Sequence, residues 1–257
     1  RIPLSSANPV LREIVGEKPR LIVLNKADLA DEAATRTWVK YFATQGFAAV
    51  PVDAVKGRGV KELVQAIAKC AKPKTDKLVQ HGAKARAARC MILGIPNVGK
   101  SSLINRLSGG TKTKVENRPG VTRAKQWIRL GAQLELLDMP GILWPKFEDQ
   151  QAALHLAFTG AINDNVYDVA SVVLLLLNTL REAYPADLAA RYRMEEDLPS
   201  GTELLEEIGR RRGCLRAGGK IDYEKAEQIV LTDFRSGRLG RITLDSLPDM
   251  SFDGDVR

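Results

Sequence analysis

Two short segments of this chain stand in an order that restricts the folds it can adopt. Asn25-Lys26-Ala27-Asp28 closes an apolar run near the N-terminus, and Gly94-Ile95-Pro96-Asn97-Val98-Gly99-Lys100-Ser101 follows much later, between an apolar run and a helical pattern. The later segment fits GxxxxGKS in a strand–loop–helix setting. Its glycines let backbone N–H groups wrap phosphates, and the helix N-terminus adds a favourable dipole. Lys100 is the side chain to reach the outer phosphates and Ser101 the hydroxyl to ligate Mg²⁺, with Pro96, Asn97, Val98, Gly99 and Ser102 forming the rest of the cradle. The earlier segment supplies base choice. A carboxylate at Asp28 accepts from the N1–H and amino group of guanine, which adenine does not present together; Asn25 bonds the base edge or holds neighbouring loops, and the Lys26 stem packs along the ring. A nucleotide site is defined by where loops meet in space, so a chain visiting them in permuted order still builds it.

Two further segments extend the set. Asp138-Met139-Pro140-Gly141 ends an apolar run, which suits a carboxylate holding Mg²⁺ through water at Asp138 and a backbone N–H for the γ-phosphate at Gly141. Between it and the phosphate loop lies Arg118-Pro119-Gly120-Val121-Thr122, whose Thr122 hydroxyl is the candidate to complete the Mg²⁺ shell. Asp53-Ala54-Val55-Lys56 matches a base-backing loop more loosely, and an ordinary strand-to-helix turn is the competing reading. No residue is certain as a catalytic group: Lys100, Thr122 and Gly141 contact the transferred phosphoryl, while Ile142 stands where many GTPases place a water-orienting Gln. An apolar side chain cannot orient water, so intrinsic hydrolysis is expected on the order of 10⁻³ s⁻¹ or slower. His155 falls on a helix and reads as structural or exposed, and His81 has no motif around it.

The pattern along the chain predicts an α/β domain followed by a small all-α one, with the boundary between 148 and 149. Strands are expected at Arg20–Leu24, Phe47–Val52 and Cys90–Leu93, with helices over Asp31–Gln45, Val60–Cys70 and Ser101–Leu107. This alternation is the mark of a mostly parallel sheet with helices on both faces. Gln126–Leu130 and Leu134–Leu137 read as a hairpin-like pair, and Lys72–Arg89 as a basic linker or surface helix. From Glu148 onward the strand signals vanish, and helices are expected over Glu148–Phe158, Tyr167–Arg181, Ala186–Arg193, Gly201–Arg211 and Tyr223–Ser236.

Bulk properties exclude several classes. With 257 residues, 44% hydrophobic and 27% charged, the chain is of globular composition. Its longest apolar run, Val169–Leu177, is too short to span a bilayer, so a buried helix and no stable membrane insertion are expected. Arg1 opens no signal-peptide pattern, although a processed presequence would leave no trace. Cys70, Cys90 and Cys214 lack metal-ligand spacing and suit a reducing compartment. The net charge of +8 favours an anionic partner such as RNA, a plain basic protein being the alternative. Arg210-Arg211-Arg212, Arg216, Lys220, Arg235, Arg238 and Arg241 are the phosphate-suited side chains of the helical part.

Taken together, Arg1–Ser6 with Asn8-Pro9, the NKAD tetrad, GIPNVGKSSLINRL, RPGVT, LELLDMPGILWPKFED and Gly213-Cys214 resemble the ribosome biogenesis GTPase A family of circularly permuted Ras-like GTPases, over almost the whole chain. The resemblance implies a permuted P-loop GTPase domain over 1–148 and a helical RNA-contacting domain over 149–257. It implies GTP and GDP with Mg²⁺ as ligands, and a GTP-dependent role in assembling the large ribosomal subunit through its precursor and rRNA. It further implies an apolar residue in place of the catalytic Gln, as at Ile142, and hydrolysis stimulated by the ribosome and by K⁺ associated with Asn97. A monomer in the bacterial cytoplasm is expected, the mitochondrial matrix being the alternative setting. Family members carry a preceding segment with a His implicated in hydrolysis and a strand ending Asp-Ala-Arg, so a chain opening at that Arg is expected to lack both. A regulatory GTPase, or a nucleotide-stabilised binding module acting on a protein, is the competing function.

Overall fold

The computed structural model describes residues 1–80, 87–109, 126–130, 134–139, 141–144 and 149–248. After a short helix α1 (Val10–Val15), which the sequence pattern did not announce, strand β1 (Leu21–Asn25) runs parallel to β2 (Ala48–Val52). Parallel neighbours need a crossover, and α2 (Glu32–Thr44) supplies it. Asp31 caps that helix by accepting from the Ala34 N–H at 2.6 Å. Gly46, at φ 78°, ends it with a Schellman pair, Gly46 N–H to Ala43 O and Phe47 N–H to Phe42 O. Trp38 and Phe42, four residues apart, are both buried.

Helix α3 (Val60–Gln80) is longer than expected. It runs on through Pro73, so the first part of the basic stretch is helix; residues 81–86, including His81, lie outside the described residues. Strand β3 (Ala88–Ile92) begins two residues ahead of Cys90 because it pairs in full parallel register with β5 (Leu134–Asp138), Arg89 meeting Glu135 across the ladder at 3.0 Å. Antiparallel to β5 lies β4 (Gln126–Leu130), the expected hairpin-like partner. Parallel pairing therefore predominates, but not in one sheet. Among the described residues β1-β2 and β3-β5-β4 are separate sheets. Leu21 and Val23 of β1 and Met91 and Ile92 of β3 border the same cavity instead of sharing a ladder. Part of what joins the two sheets is apolar: Val52, Ala54 and Leu63 pack with Leu103 of α4 (Lys100–Leu107), and Ile92 packs against that cluster.

Beyond 149 the elements are α5 (Gln150–Phe158), α6 (Val169–Ala183), α7 (Pro185–Tyr192), α8 (Gly201–Arg211) and α9 (Tyr223–Arg235). The caps account for the one- or two-residue differences from the expected bounds: Asp149, Asp168 and Asp222 each accept backbone N–H groups at a helix start. The apolar run Val169–Leu177 lies within α6, whose Val173, Leu176 and Leu177 form the centre of the helical core with Leu204, Ile208 and Phe234. Among the described residues no helix is long and apolar enough to cross a membrane.

A strap after α9 laces the two halves together. Ile242 N–H donates to Leu29 O, Thr243 Oγ1 accepts from Asp31 N–H, and Leu244 N–H donates to Arg1 O. It ends at Asp245, whose side chain is buried and accepts from the N–H groups of Leu4 and Ser5 and from Ser5 Oγ, with His155 Nδ1 at 2.9 Å. His155 is thus structural. Burial works against the Asp245 charge, but the bonds from His155, Ser5 and the two backbone N–H groups outweigh it and hold the carboxyl below the usual carboxylate range. A depressed folded pKa stabilises above the unfolded value and is lost as pH falls through the folded one. Asp245→Asn should therefore cost about 1–3 kcal/mol near pH 7, and urea denaturation should show the gap to wild type closing below about pH 4.

Candidate nucleotide site

The phosphate loop owes its shape to two left-handed residues, Asn97 at φ 57° and Gly99 at φ 91°. Only glycine fits the second: a Cβ there would stand 2.4 Å from Asn25 Nδ2. The N-terminus of α4 has no side-chain cap, which leaves its first-turn N–H groups for a ligand. Lys100 Nζ donates to the loop's own Gly94 O and Ile95 O at 2.9 and 2.7 Å, and Ser101 and Ser102 are half-buried in the first turn. A loop with its cation folded over it and uncapped N–H groups beneath is the chemistry a polyphosphate fits.

Asn25 brings the tetrad to this loop. Its Nδ2 donates to Val98 O at 2.8 Å, and its Oδ1 accepts from Ala54 N–H at 3.3 Å. Lys26 is held at φ 57°, and burial, with Arg1 nearby, lowers the pKa of its ammonium. Asp28 sits in a single 3₁₀ turn, half-buried, and its carboxylate accepts no hydrogen bond from the described residues. That leaves it available to two donors on a base edge. Asp53 serves the loop's own structure. Its Oδ1 accepts from Val55 and Lys56 N–H, while its buried Oδ2 has no partner among the described residues. The sequence reading missed Arg106, in the last turn of α4, which donates to Ala54 O at 3.1 Å and to Val55 O and so fixes the loop after β2. Its place in an otherwise ordinary helix gave no signal.

Past β5, Gly141 lies against the loop so closely that a Cβ would meet Pro96 N at 2.7 Å, and Ile142 N–H donates to Gly94 O. Ile142 is partly exposed, with no polar atom to offer water. The backbone of Asp138 ends β5 opposite Ile92. Its side chain, Pro140 and the whole segment 118–122, with Thr122, lie outside the described residues. Asn25, Lys26, Pro96, Asn97, Gly99 and Lys100 together border one cavity of about 250 Å³, which Thr159, Arg235 and Thr243 of the helical half also line. A more open groove of about 570 Å³ on α8 is bordered by Glu203, Glu206 and Glu207 together with Arg210 and Arg211, which Glu206 and Glu207 pair.

Strand, loop and helix, joined to a tetrad by an asparagine, define an α/β protein of the P-loop GTPase class. The family model described as 50S ribosome-binding GTPase matches residues 89–203. Ribosome biogenesis GTPase A of Bacillus cereus is 48% identical over 96% of this chain and 83% of its own length. Mitochondrial ribosome-associated GTPase 1 of Mus musculus is 32% identical over 95% and 80%. The crystal structure of GNP-bound YlqF from Thermotoga maritima superposes with a TM-score of 0.67 at 26% identity, over 95% of this chain and 87% of that one. The chain belongs to the ribosome biogenesis GTPase A family, and it is a GTP hydrolase.

Gly99→Ala forces a Cβ onto Asn25 and strains a left-handed φ. Titration calorimetry should show GDP affinity falling by about 100-fold, roughly 2.8 kcal/mol, with α-helical content by circular dichroism unchanged.

Proposed function

We propose that residues 1–148 form a circularly permuted GTPase domain and residues 149–257 a helical domain, and that the protein is a GTP-dependent assembly factor of the large ribosomal subunit. Asp28 would choose guanine, with Asn25 and Lys26 shaping the base pocket and Asp53 and Ala54 backing it. Pro96, Asn97, Val98, Gly99, Ser101 and Ser102 would cradle the phosphates. Lys100 would leave Gly94 O and Ile95 O to reach the outer ones. Ser101, Thr122 and Asp138 are the donors suited to Mg²⁺, and the Asn97 side-chain oxygen to K⁺. When bound, these cations neutralise charge developing on the phosphate oxygens. The Gly141 N–H would contact the γ-phosphate, while Ile142 leaves water unoriented, so intrinsic turnover would be slow and would rise on the ribosome and with potassium.

One observation carries the switch reading: the phosphate loop rests directly on the helical half. Asn97 Nδ2 donates to Gly160 O at 2.7 Å, and Ile95 shares a buried cluster with Leu156 and Ala161, against which Leu143 and Trp144 pack. A change in the loop on γ-phosphate binding would press on α5 without passing through flexible chain. Precursor large subunits and their rRNA would be the partner of the GTP-bound form. The bacterial relatives favour the cytoplasm as the setting, with mitochondria as in the mouse relative the other case.

Co-sedimentation with purified large subunits in potassium buffer tests the proposal. Pelleting is expected with a non-hydrolysable GTP analogue and release with GDP. Equal pelleting in the two states would remove the switch, and none in either would remove the ribosomal partner.

A further inference from the structure

Basic side chains in the helical half differ sharply in how they are used. Arg210 pairs with Glu206 and Glu207, Arg211 with Glu207, Arg216 with Asp222 and Glu224, Arg235 with Asp164 and Arg241 with Glu32. Arg235 is the most committed of them, since it also donates to Ala157 O and Phe158 O at the end of α5.

Three others share one carboxylate. Asp233 is 1% exposed and is chelated by Arg191, Nε to Oδ2 at 2.9 Å and Nη2 to Oδ1 at 2.8 Å. Arg212 approaches its Oδ2 at 3.6 Å and Arg238 its Oδ1 at 3.5 Å, both too long for good hydrogen bonds. Neither donates a side-chain hydrogen bond among the described residues, and their side chains are 33% and 58% exposed.

The backbone holds this arrangement in place. Arg191 lies in the last turn of α7, Arg212 is the C-cap of α8, and Arg238 stands three residues past α9. The ends of α8 and α9 are closed by Schellman pairs: Gly213 N–H to Arg210 O with Cys214 N–H to Gly209 O, and Gly237 N–H to Phe234 O with Arg238 N–H to Asp233 O. These carbonyls are already satisfied, so Arg212 and Arg238 are not needed as caps. Three guanidinium groups against one carboxylate leave an excess of positive charge, and two planar donor forks stand in solvent on a rigid base.

We propose that Arg212 and Arg238, oriented by Asp233 and Arg191, form a phosphate-binding site for the ribosomal RNA backbone. The site rests on the assembly-factor reading above and narrows its RNA contact to one point on the helical half. Arg210 and Arg216, held by their own carboxylates, contribute little.

The test compares Arg212→Gln/Arg238→Gln with Arg210→Gln/Arg216→Gln, a pair of equal charge change. Binding of the GTP-analogue complex to purified large subunits, and to protein-free RNA extracted from them, is measured over a potassium chloride series. The cluster pair should weaken both by roughly tenfold at low salt and flatten the salt slope by about 2, while the control pair changes binding less than about twofold. Arg212→Lys/Arg238→Lys, which keeps the charge but not the planar fork, should restore the salt slope and recover only part of the affinity, and excludes misfolding as the cause of the loss. Equal losses in the two pairs would reduce the effect to bulk charge and overturn the site. So would wild-type affinity in the cluster pair, or loss on subunits without loss on RNA, which would assign the surface to a protein partner. If the wild-type protein binds neither probe, the assembly-factor reading fails and takes this site with it.

Discussion

One side-chain amide makes the reversed order of motifs workable. Asn25 donates to the phosphate loop at Val98 and accepts from the loop after β2 at Ala54, so a single planar group fixes both loops relative to β1. An aspartate could not do this, having no donor, and a lysine has no acceptor. Gly99 must be glycine because the amide occupies the volume of its missing Cβ. Arg106 completes the arrangement from α4, binding the carbonyls of the loop whose N–H Asn25 engages. None of these bonds depends on the order in which the chain visits the loops. Side chains, not connections, assemble the site.

The cavity bordered by the phosphate loop and the tetrad is also held from two sides by the helical half. On the side of the phosphate loop Asn97 reaches Gly160, and Ile95 is buried beside Leu156. On the side of the tetrad, Leu29 O and Asp31 N–H, immediately after it, bind Ile242 and Thr243 of the strap. Tyr184 secures the same strap from the end of α6, donating to Thr243 O at 2.8 Å and accepting from Thr243 N–H at 3.1 Å. Close-packed interiors transmit displacement because they have few voids to absorb it. A displacement of either loop therefore meets the helices directly, with Asn97 bonded to Gly160 and Leu29 to Ile242.

What was legible in the sequence was local. The phosphate loop, the tetrad, the Asp31 cap with its Gly46 stop and the buried run in α6 all depend on residues a few positions apart. The helical half was readable for the same reason, with caps shifting its boundaries by a residue or two. What was not legible lies in long-range contacts. Nothing in the neighbourhood of Arg106 marks it as a ligand of Ala54, and Asn97 gives no hint of Gly160. The tail Arg241–Asp245 has no pattern of its own, yet it ties together α2, α5 and α6. The division into two sheets was also hidden, because each strand reads correctly alone and only the pairing shows that β1 and β3 do not meet. The helix expected to stop at Cys70 runs on past Pro73 to Gln80, an extension that no local pattern showed.

Charge gives the sharpest contrast between composition and structure. A net +8 says that an anion suits the protein as a partner but not where it binds. In sequence Arg210, Arg211 and Arg212 are one basic run of equivalent members. In the fold the first two face glutamates one turn back on α8, as i, i+3 and i, i+4 spacing dictates. Arg212, at the helix C-cap, turns towards Asp233, where Arg191 already satisfies both oxygens. The carboxylate is thereby over-subscribed, and of its three arginines the surplus falls on Arg212 and Arg238, which are more open to water than Arg191. Position relative to the helix end, and not the number of arginines, decides which of them remain for an external phosphate.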